Sequence, residues 1–276
     1  MKRNGPSWVK CAFAGSILLT LSGQTAASLE SIEAIEDPVG KGTAIAAETE
    51  RRDAGFGDYV VDAEMILMQD DQVLSEREFF SKVLEIPDDG DHSVNVFRSP
   101  RDVEGTAVLI HAHGLEPDDQ WLYLPAVRRV KRISTRSKSG PFVGSEFAYE
   151  DISTWVVEKY TYRFLGTDTV DGNECFKVEN TPAYEHSGYS KLNEWIDKKI
   201  FRPRRFDYYD RKGDLLKTLH LSDYRQYKDK WWRPGVMIMT NHQNGRVTKI
   251  IWKDYRFATG LTESDLAQSK LSRIHK

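Results

Sequence analysis

The sequence has almost no cysteine: Cys11 and Cys175 are the only two in 276 residues. Cys11 falls in an N-terminal segment with export features, which leaves Cys175 without a partner for an internal disulfide. The sequence therefore excludes a small protein whose fold is held together by internal disulfide bonds. Cys175 lies in the alternating stretch of residues 174–178, and this setting indicates a half-buried, unreactive thiol rather than a nucleophile.

An excess of positive charge is also missing, with 39 basic against 42 acidic residues. Without Lys2, Arg3 and Lys10 of the N-terminal segment the balance is 36 to 42, a net charge near −6. Because general nucleic-acid binders carry a basic excess, we expect no nucleic-acid partner. After residue 27 no run of 18 apolar residues occurs, so we expect no transmembrane segment in the mature chain.

The first 27 residues have the pattern of a secretory signal peptide. Lys2, Arg3 and Lys10 precede an apolar run at residues 11–21, and small residues precede a cleavage site after Ala27. The apolar run of about 11 residues is too short to cross a bilayer, which needs about 20. We therefore expect export and cleavage; an uncleaved anchor or a buried N-terminal helix is the alternative.

Beyond residue 57 the apolar residues recur with a period of two, which is typical of strands. Every second residue from Val61 to Leu67 is apolar, for example. Asp171-Gly172 and Asn244-Gly245 are hairpin signals between such stretches. The predicted strands cover residues 58–69, 72–87, 92–99, 105–112, 119–124, 128–134, 157–170, 174–182, 190–201, 203–210, 214–227, 231–243 and 246–258.

Helical signals are concentrated at the two ends of the mature chain. Pro38 suits the first turn of a predicted helix over residues 39–54. Thr262 and Asp265 form a capping box before a predicted helix over residues 266–274. Strands joined by short turns pair antiparallel, and a sheet of this size must curl and have one face covered. The sequence thus predicts one mainly β domain over residues 28–276, with a helical segment at 28–57.

No set of residues requires an enzyme. His111 and His113 have the spacing of two ligands on one strand face, but a catalytic zinc site needs a third protein ligand. Ser145 lacks the second glycine of a nucleophile elbow, because Phe147 stands at that position. Residues 140–145 lack the form of a phosphate loop, and we interpret them as a lid or loop. We expect no catalytic residue, metal or cofactor; a secreted hydrolase that uses the two histidines is a further alternative.

One basic stretch stands out in this acidic chain. Residues 128–138 contain six basic residues and no acidic one. A solvated face is the simpler interpretation. The alternative is a contact with anionic head groups or an acidic partner.

Several phrases in a fixed order together resemble the bacterial outer membrane lipoprotein-sorting protein family, relatives of the periplasmic carrier LolA. The similarity extends over residues 50–275, and the phrases lie at residues 52–58, 105–109, 121–126, 128–133, 138–147, 149–151, 195–197, 203 and 210–213. The resemblance implies a LolA/LolB-like fold. This is an incomplete antiparallel β-barrel with N-terminal and C-terminal helices covering its concave apolar face.

The resemblance also implies a function: a periplasmic carrier or chaperone of a Gram-negative bacterium, exported by a cleaved signal peptide. Such a protein binds acyl chains of lipoproteins or lipids in an apolar groove for outer-membrane sorting. Each buried CH₂ contributes about 0.8 kcal/mol, so half-burying a 16-carbon chain contributes about 6 kcal/mol before binding entropy is subtracted. No metal or nucleotide is needed for this.

The expected partners are a lipoprotein or lipid ligand and, as a further candidate, an inner-membrane exporter. The alternative function is an accessory subunit that holds no lipid and docks on a membrane exporter or envelope complex. The candidate head-group or partner contact consists of Arg128, Arg129, Lys131 and Arg132. The candidate apolar wall for the acyl chain consists of Met65, Leu67, Phe79, Trp121, Tyr123, Phe142 and Phe147.

Overall fold

The computed structural model describes residues 28–274, so the signal peptide predicted at residues 1–27 lies outside the described residues. Two α-helices come first, α1 (Leu29–Glu33) and α2 (Pro38–Asp53). The sequence predicts the start of α2 correctly: Pro38 is in its first turn, and the Asp37 side chain accepts a 2.7 Å hydrogen bond from the Gly40 N–H. None of the helices within residues 28–274 is both long and apolar enough to cross a membrane.

Fifteen strands lie within the described residues, and each predicted strand has a counterpart. Two predicted strands, 214–227 and 231–243, are each divided in two, because the chain turns at residues 223–224 and 234–235. The strands are β1 (Asp58–Gln69), β2 (Gln72–Leu84), β3 (His92–Ser99), β4 (Ala107–His111), β5 (Asp119–Leu124), β6 (Arg129–Ile133), β7 (Tyr160–Val170), β8 (Asn173–Pro182), β9 (Tyr189–Asp197), β10 (Pro203–Asp210), β11 (Leu215–Ser222), β12 (Arg225–Tyr227), β13 (Trp231–Arg233), β14 (Val236–Asn241) and β15 (Arg246–Phe257).

Thirteen of these strands form one sheet in the order β6-β5-β4-β3-β2-β1-β15-β14-β11-β10-β9-β8-β7. Neighbours in this sheet pair antiparallel. The predicted hairpins at Asp171-Gly172 and Asn244-Gly245 are both present. The sheet does not close, since β6 and β7 are its two edges. The predicted fold class, a mainly β protein with an incomplete antiparallel barrel, is therefore confirmed.

The order of the strands has a direct consequence for the chain between β6 and β7. These strands follow each other in sequence but lie at opposite edges, so residues 134–159 must cross the whole sheet. We call these residues the crossing segment. Its Phe142 and Phe147 pack in one cluster with Met65 and Phe79 of the sheet. We call the side of the sheet that carries Met65 and Phe79 the covered face.

The N-terminal helices pack at the β7 end of the same face. Ile32 of α1 and Ile45 of α2 join a cluster with Tyr162, Phe176 and Ile196. Val178, the next covered-face residue of β8 after Phe176, is also in this cluster. The helices thus cover one part of the covered face, and the crossing segment covers the rest.

The C-terminal segment differs from the prediction in two ways. The Thr262–Asp265 capping box is present, but it begins the first of two 3₁₀ helices, Glu263–Leu266 and Gln268–Arg273, rather than an α-helix. The extended backbone of Ala267 separates the two. Leu266 and Leu271 pack with Leu109 on the outer face of the sheet, opposite the covered face. They pack against the apolar side chains of β3 and β4 on the outer face.

A glycine lets α2 lie close to the edge strand β7. A Cβ atom on Gly42 would be 2.9 Å from the Arg163 nitrogen and 3.0 Å from the Phe164 nitrogen. Since both are backbone atoms, Gly42→Ala should push the helix away. We expect the overpacking to lower the free energy of unfolding by about 1–2 kcal/mol, despite the better helix propensity of alanine.

Urea unfolding measures this difference, and Gly40→Ala in the same helix is the matched control. A Cβ atom on Gly40 would approach only the movable side chains of Asp37 and Ile35. The Gly40→Ala protein should be at least as stable as the parent. Equal stability of the two variants would contradict the close packing of α2 on β7.

Candidate functional site

The covered face brings five of the seven candidate wall residues together. Met65 and Phe79 from the sheet and Phe142 and Phe147 from the crossing segment are each at most 2% exposed. Leu67 packs against the same cluster and is partly buried. Strand alternation places Met65 and Leu67 on one face of β1, two residues apart. The two phenylalanines of the crossing segment pack onto these sheet residues.

Trp121 and Tyr123, the other two candidates, lie on the outer face. They are directly opposite Leu109 and Ala107 of β4 in the sheet and pack towards the C-terminal segment. Their strand neighbour Leu122 packs towards the covered face. Both faces of β5 carry large apolar side chains because both faces are covered, so the pattern alone does not tell them apart.

Side chains of the protein itself fill the apolar part of the covered face. The rings of Phe79 and Phe97 are 5.3 Å apart, and Phe97 and Phe142 are 5.9 Å apart. Two shallow clefts of about 270 and 250 Å³ are lined mainly by polar and charged residues, among them Glu76 and Asp118. The groove expected from the resemblance is therefore occupied by the crossing segment in this conformation.

A buried ion pair holds the crossing segment to the sheet. Lys217 of β11 places its Nζ atom 2.6 Å from Asp151 Oδ2, with the side chains 4% and 1% exposed. The same Nζ donates to the Glu146 carbonyl at 3.0 Å. Asp151 also accepts a 2.7 Å hydrogen bond from the Tyr189 hydroxyl. A charged pair so fully removed from water depends on both partners being present.

Further polar side chains fix the segment at other points. Glu150 accepts hydrogen bonds from the Gly188 N–H at 2.8 Å and the Ser187 hydroxyl at 3.0 Å, and burial raises the pKa of this carboxyl. Gln120 donates to the Tyr149 carbonyl at 3.0 Å and the Ser153 hydroxyl at 2.7 Å. These contacts all involve side chains.

The main-chain hydrogen bonds of residues 138–153 run within the crossing segment. Phe142 and Phe147 are joined in this way, as are Gly140 and Tyr149. In the described part of the chain these residues add no strand to the sheet. Removal of residues 138–153 from the covered face would therefore break no sheet ladder.

The basic stretch forms the edge strand β6 and its flanks. Arg129, Lys131 and Arg132 are exposed there. Charged residues on an edge strand discourage pairing with other sheets, and this explains part of the pattern without a partner. The preceding turn adds exposed apolar surface, with Val127 at 59% exposure. Arg128, in the left-handed conformation, ends this turn.

The other candidate groups have local partners. His111 Nε2 lies 2.8 Å from the Leu266 carbonyl, and His113 Nδ1 lies 3.1 Å from Asp89 Oδ2. Residues 28–274 contain no group of three His, Cys, Asp or Glu side chains placed to hold a metal. Cys175 is buried, and burial raises the pKa of its thiol to about 11, so the thiol is protonated at neutral pH.

The sequence reasoning missed Lys217 and Glu194, two charged groups of the covered face. Each of them could have been recognised as a charged residue at a strand position where the alternation requires an apolar one. Lys217 shares a strand face with Leu219, and Glu194 shares one with Leu192 and Ile196. Glu194 accepts a 2.7 Å hydrogen bond from Asn180, and burial raises its pKa to about 7.

Asp151→Asn should loosen the crossing segment, because it leaves Lys217 buried without a counter-charge. Breaking a buried ion pair on one side costs about 3–5 kcal/mol. We expect faster amide hydrogen exchange in residues 138–156, measured by mass spectrometry. The matched control, Glu64→Gln, breaks the partly exposed pair with Lys253 and should cost less than about 1 kcal/mol. Unchanged exchange in residues 138–156 would argue that this pair does not hold the segment.

Comparison with known proteins supports the family suggested by the sequence. A family model with the description "Uncharacterized protein" matches residues 89–273. A crystal structure of an outer membrane lipoprotein-sorting protein domain from Vibrio parahaemolyticus is 49% identical, with 85% of this chain and 100% of that chain covered and a TM-score of 0.83. A DUF1329 family protein from Desulfovibrio piger is 31% identical, with 85% and 99% covered and a TM-score of 0.80.

A more distant structure extends the comparison of folds. A LolA superfamily protein from Nitrosomonas europaea is 20% identical, with 83% of this chain and 98% of that chain covered and a TM-score of 0.65. At this identity the likeness concerns the fold. A search of curated proteins finds no match. From the sequence similarity and the shared fold, the chain belongs to the outer membrane lipoprotein-sorting protein family and has the fold of the LolA superfamily.

Proposed function

We propose that the protein is a periplasmic carrier or chaperone for the acyl chains of lipoproteins or lipids, acting in their sorting to the outer membrane. The observation that carries the proposal is the way the apolar face is covered. A separate segment fills it with two phenylalanine rings and is held there by side-chain contacts rather than by strand pairing. Such a cover can be exchanged for a ligand.

In this proposal the crossing segment lifts and an acyl chain takes the place of Phe142 and Phe147. Met65, Leu67 and Phe79 then form the wall against which the chain lies. Trp121 and Tyr123 take no part, because they pack on the outer face under the C-terminal segment.

The magnitudes favour a reversible exchange. Removing two phenylalanines from a buried site costs roughly 3–6 kcal/mol, and half-burying a 16-carbon chain returns about 6 kcal/mol. The apolar contribution gained on loading is then about equal to the apolar contribution lost when the two phenylalanines leave. A partner with a better site can therefore remove the ligand without nucleotide hydrolysis.

We further propose that residues 1–27 direct export and that residues 28–276 act as one domain in the periplasm. The family name of the Vibrio relative supports this setting. The role requires neither catalysis nor a cofactor.

A reversible lock tests the proposal. The Glu146 N–H donates to the Thr248 hydroxyl at 3.0 Å, so the segment and β15 are adjacent there. In the mature chain, Glu146→Cys with Thr248→Cys should form a disulfide that holds the segment down. We expect the oxidised protein to lose binding of a fluorescent 16-carbon acyl probe by at least about tenfold, and reductant to restore it.

The matched control links β1 to β15 on the outer face, through Ile66→Cys and Lys249→Cys, which are directly opposite each other. Its oxidation should leave probe binding unchanged. Equal binding by the locked and reduced proteins would show that the covered face is not the site. Absence of binding by the native chain would refute the carrier function itself.

A second candidate function is docking on a membrane exporter or envelope complex without lipid binding. The observation in its favour is the exposed basic edge strand beside exposed Val127 and Leu124. It predicts that Arg129→Glu, Lys131→Glu and Arg132→Glu together abolish pull-down of an envelope complex, since a basic patch attracts an acidic partner.

Charge reversal of Arg211 and Lys212 in the β10–β11 turn is the control for this experiment. It changes the net charge in the same direction at another place on the surface. Pull-down that survives reversal of β6 would leave edge protection as the role of the basic strand.

A further inference from the structure

A carboxyl group and an amide are buried together on the covered face, on the two strands next to the edge strand β7. Asn180 of β8 is 0% exposed and Glu194 of β9 is 6% exposed. The Asn180 Nδ2 atom donates a 2.7 Å hydrogen bond to Glu194 Oε2. The Asn180 Oδ1 atom is buried and has no hydrogen-bond partner in the described part of the chain. An unpaired acceptor at such a depth is costly, so it calls for an explanation.

The neighbours of this pair in the sheet are apolar or aromatic. Val178 and Phe206 lie directly opposite Glu194 on the two adjacent strands. Tyr162 and Leu192 lie directly opposite Asn180. None of these side chains carries a positive charge.

Glu194 also differs from Asp151, the buried carboxyl group that has a charged partner. Asp151 has Lys217 as its counter-charge, whereas no ion pair of Glu194 occurs within residues 28–274. Burial raises the pKa of Glu194 to about 7, and only Asn180 acts in the opposite direction. A carboxyl group in this position can ionise at the pH of the periplasm but then lacks a cation.

Trp155 of the crossing segment contacts side chains on the strands on either side of the pair. The Trp155 ring lies 5.8 Å from Phe206 and stacks at 4.0 Å on Tyr160. Its Nε1–H donates to the Tyr162 hydroxyl at 3.2 Å. Trp155 thus contacts both β7 and β10, and the two strands that carry Asn180 and Glu194 lie between them. If the segment lifted, Asn180 and Glu194 would become accessible, with aromatic side chains around them.

We propose that Glu194 and Asn180 recognise a primary ammonium group on the acyl-bearing ligand. An ammonium group has three N–H donors and no acceptor, and the pair offers the second oxygen of the Glu194 carboxylate and the free Asn180 Oδ1. The charge of the ligand compensates that of the carboxylate. The surrounding aromatic rings favour a cation as well. The inference rests on the proposed carrier function and narrows its ligands to amphiphiles with an amine.

Competition against the fluorescent acyl probe tests this inference. Dodecylamine and N-dodecylacetamide share one alkyl chain, but only the amine is charged. We expect the amine to displace the probe from the wild-type protein at a concentration about tenfold lower. In Glu194→Gln the two compounds should agree within about twofold, whereas Glu174→Gln, at an exposed position of β8, should keep the preference.

The pH dependence gives a readout that needs no variant. The preference for the amine should fall as pH is lowered through 7, because Glu194 becomes protonated. The titratable groups that interact electrostatically with Glu194 are Tyr162, Tyr208 and Tyr224. Their pKa values are raised, so they stay neutral around pH 7. The Glu194→Gln protein removes a buried charge, so it should unfold at no lower temperature than wild type above pH 7.

The outcomes separate the two proposals. Equal displacement by both compounds, or an unchanged preference in Glu194→Gln, overturns the ammonium site and leaves the carrier function standing. That result would assign Glu194 as a neutral acid paired with the Asn180 amide. Failure of the wild-type protein to bind the acyl probe at all overturns the carrier function, and the ammonium site with it.

Discussion

The placement of β6 and β7 at opposite edges of one sheet is the constraint on which the rest of the molecule depends. Because the two strands are consecutive in the chain, about 26 residues must pass over the sheet. They pass over the part of the covered face that the N-terminal helices leave open. Topology thus supplies a cover for the apolar face that a sheet of this size needs.

The cover is attached by interactions of a different kind from those within the sheet. Strands are joined by ladders of main-chain hydrogen bonds, whereas residues 138–153 are attached by buried phenylalanines and by pairs such as Lys217–Asp151. Side-chain contacts can be given up one at a time, and a ladder opens as a unit. Binding regions are generally drawn from the less stable parts of a protein, and a segment without strand pairing fits that pattern.

Much of the framework could be predicted from the sequence. Period-two alternation located the strands, and Pro38, Asp171-Gly172 and Asn244-Gly245 located a helix start and two hairpins. The sequence did not reveal which face of β5 points inward, because Trp121 and Leu122 are both apolar and both sides of that strand are covered. Long-range pairing, which makes β6 and β7 the edges, leaves no local signal either.

The candidate site was less predictable for a related reason. Phe142 and Phe147 were recognisable as apolar. Their packing against the covered face depends on where residues 134–159 cross the sheet, and not on their own spacing in the sequence. Lys217 and Glu194 each interrupt an apolar strand face, and such interruptions are the local sign of a buried polar group. Their partners, Asp151 and Asn180, are 66 and 14 residues away, and only the fold brings them together.

The two edges of the sheet are protected by different means. α2 lies against β7, with Gly42 close to its backbone, while β6 has exposed arginine and lysine residues. The crossing segment is covalently connected to both edge strands, so its length limits how far apart the two edges can lie. Thirteen strands about 4.8 Å apart would span roughly 58 Å if flattened. A segment folded into short turns cannot follow that widening unless those turns straighten. Flattening the sheet would therefore pull on the segment that carries the two phenylalanines.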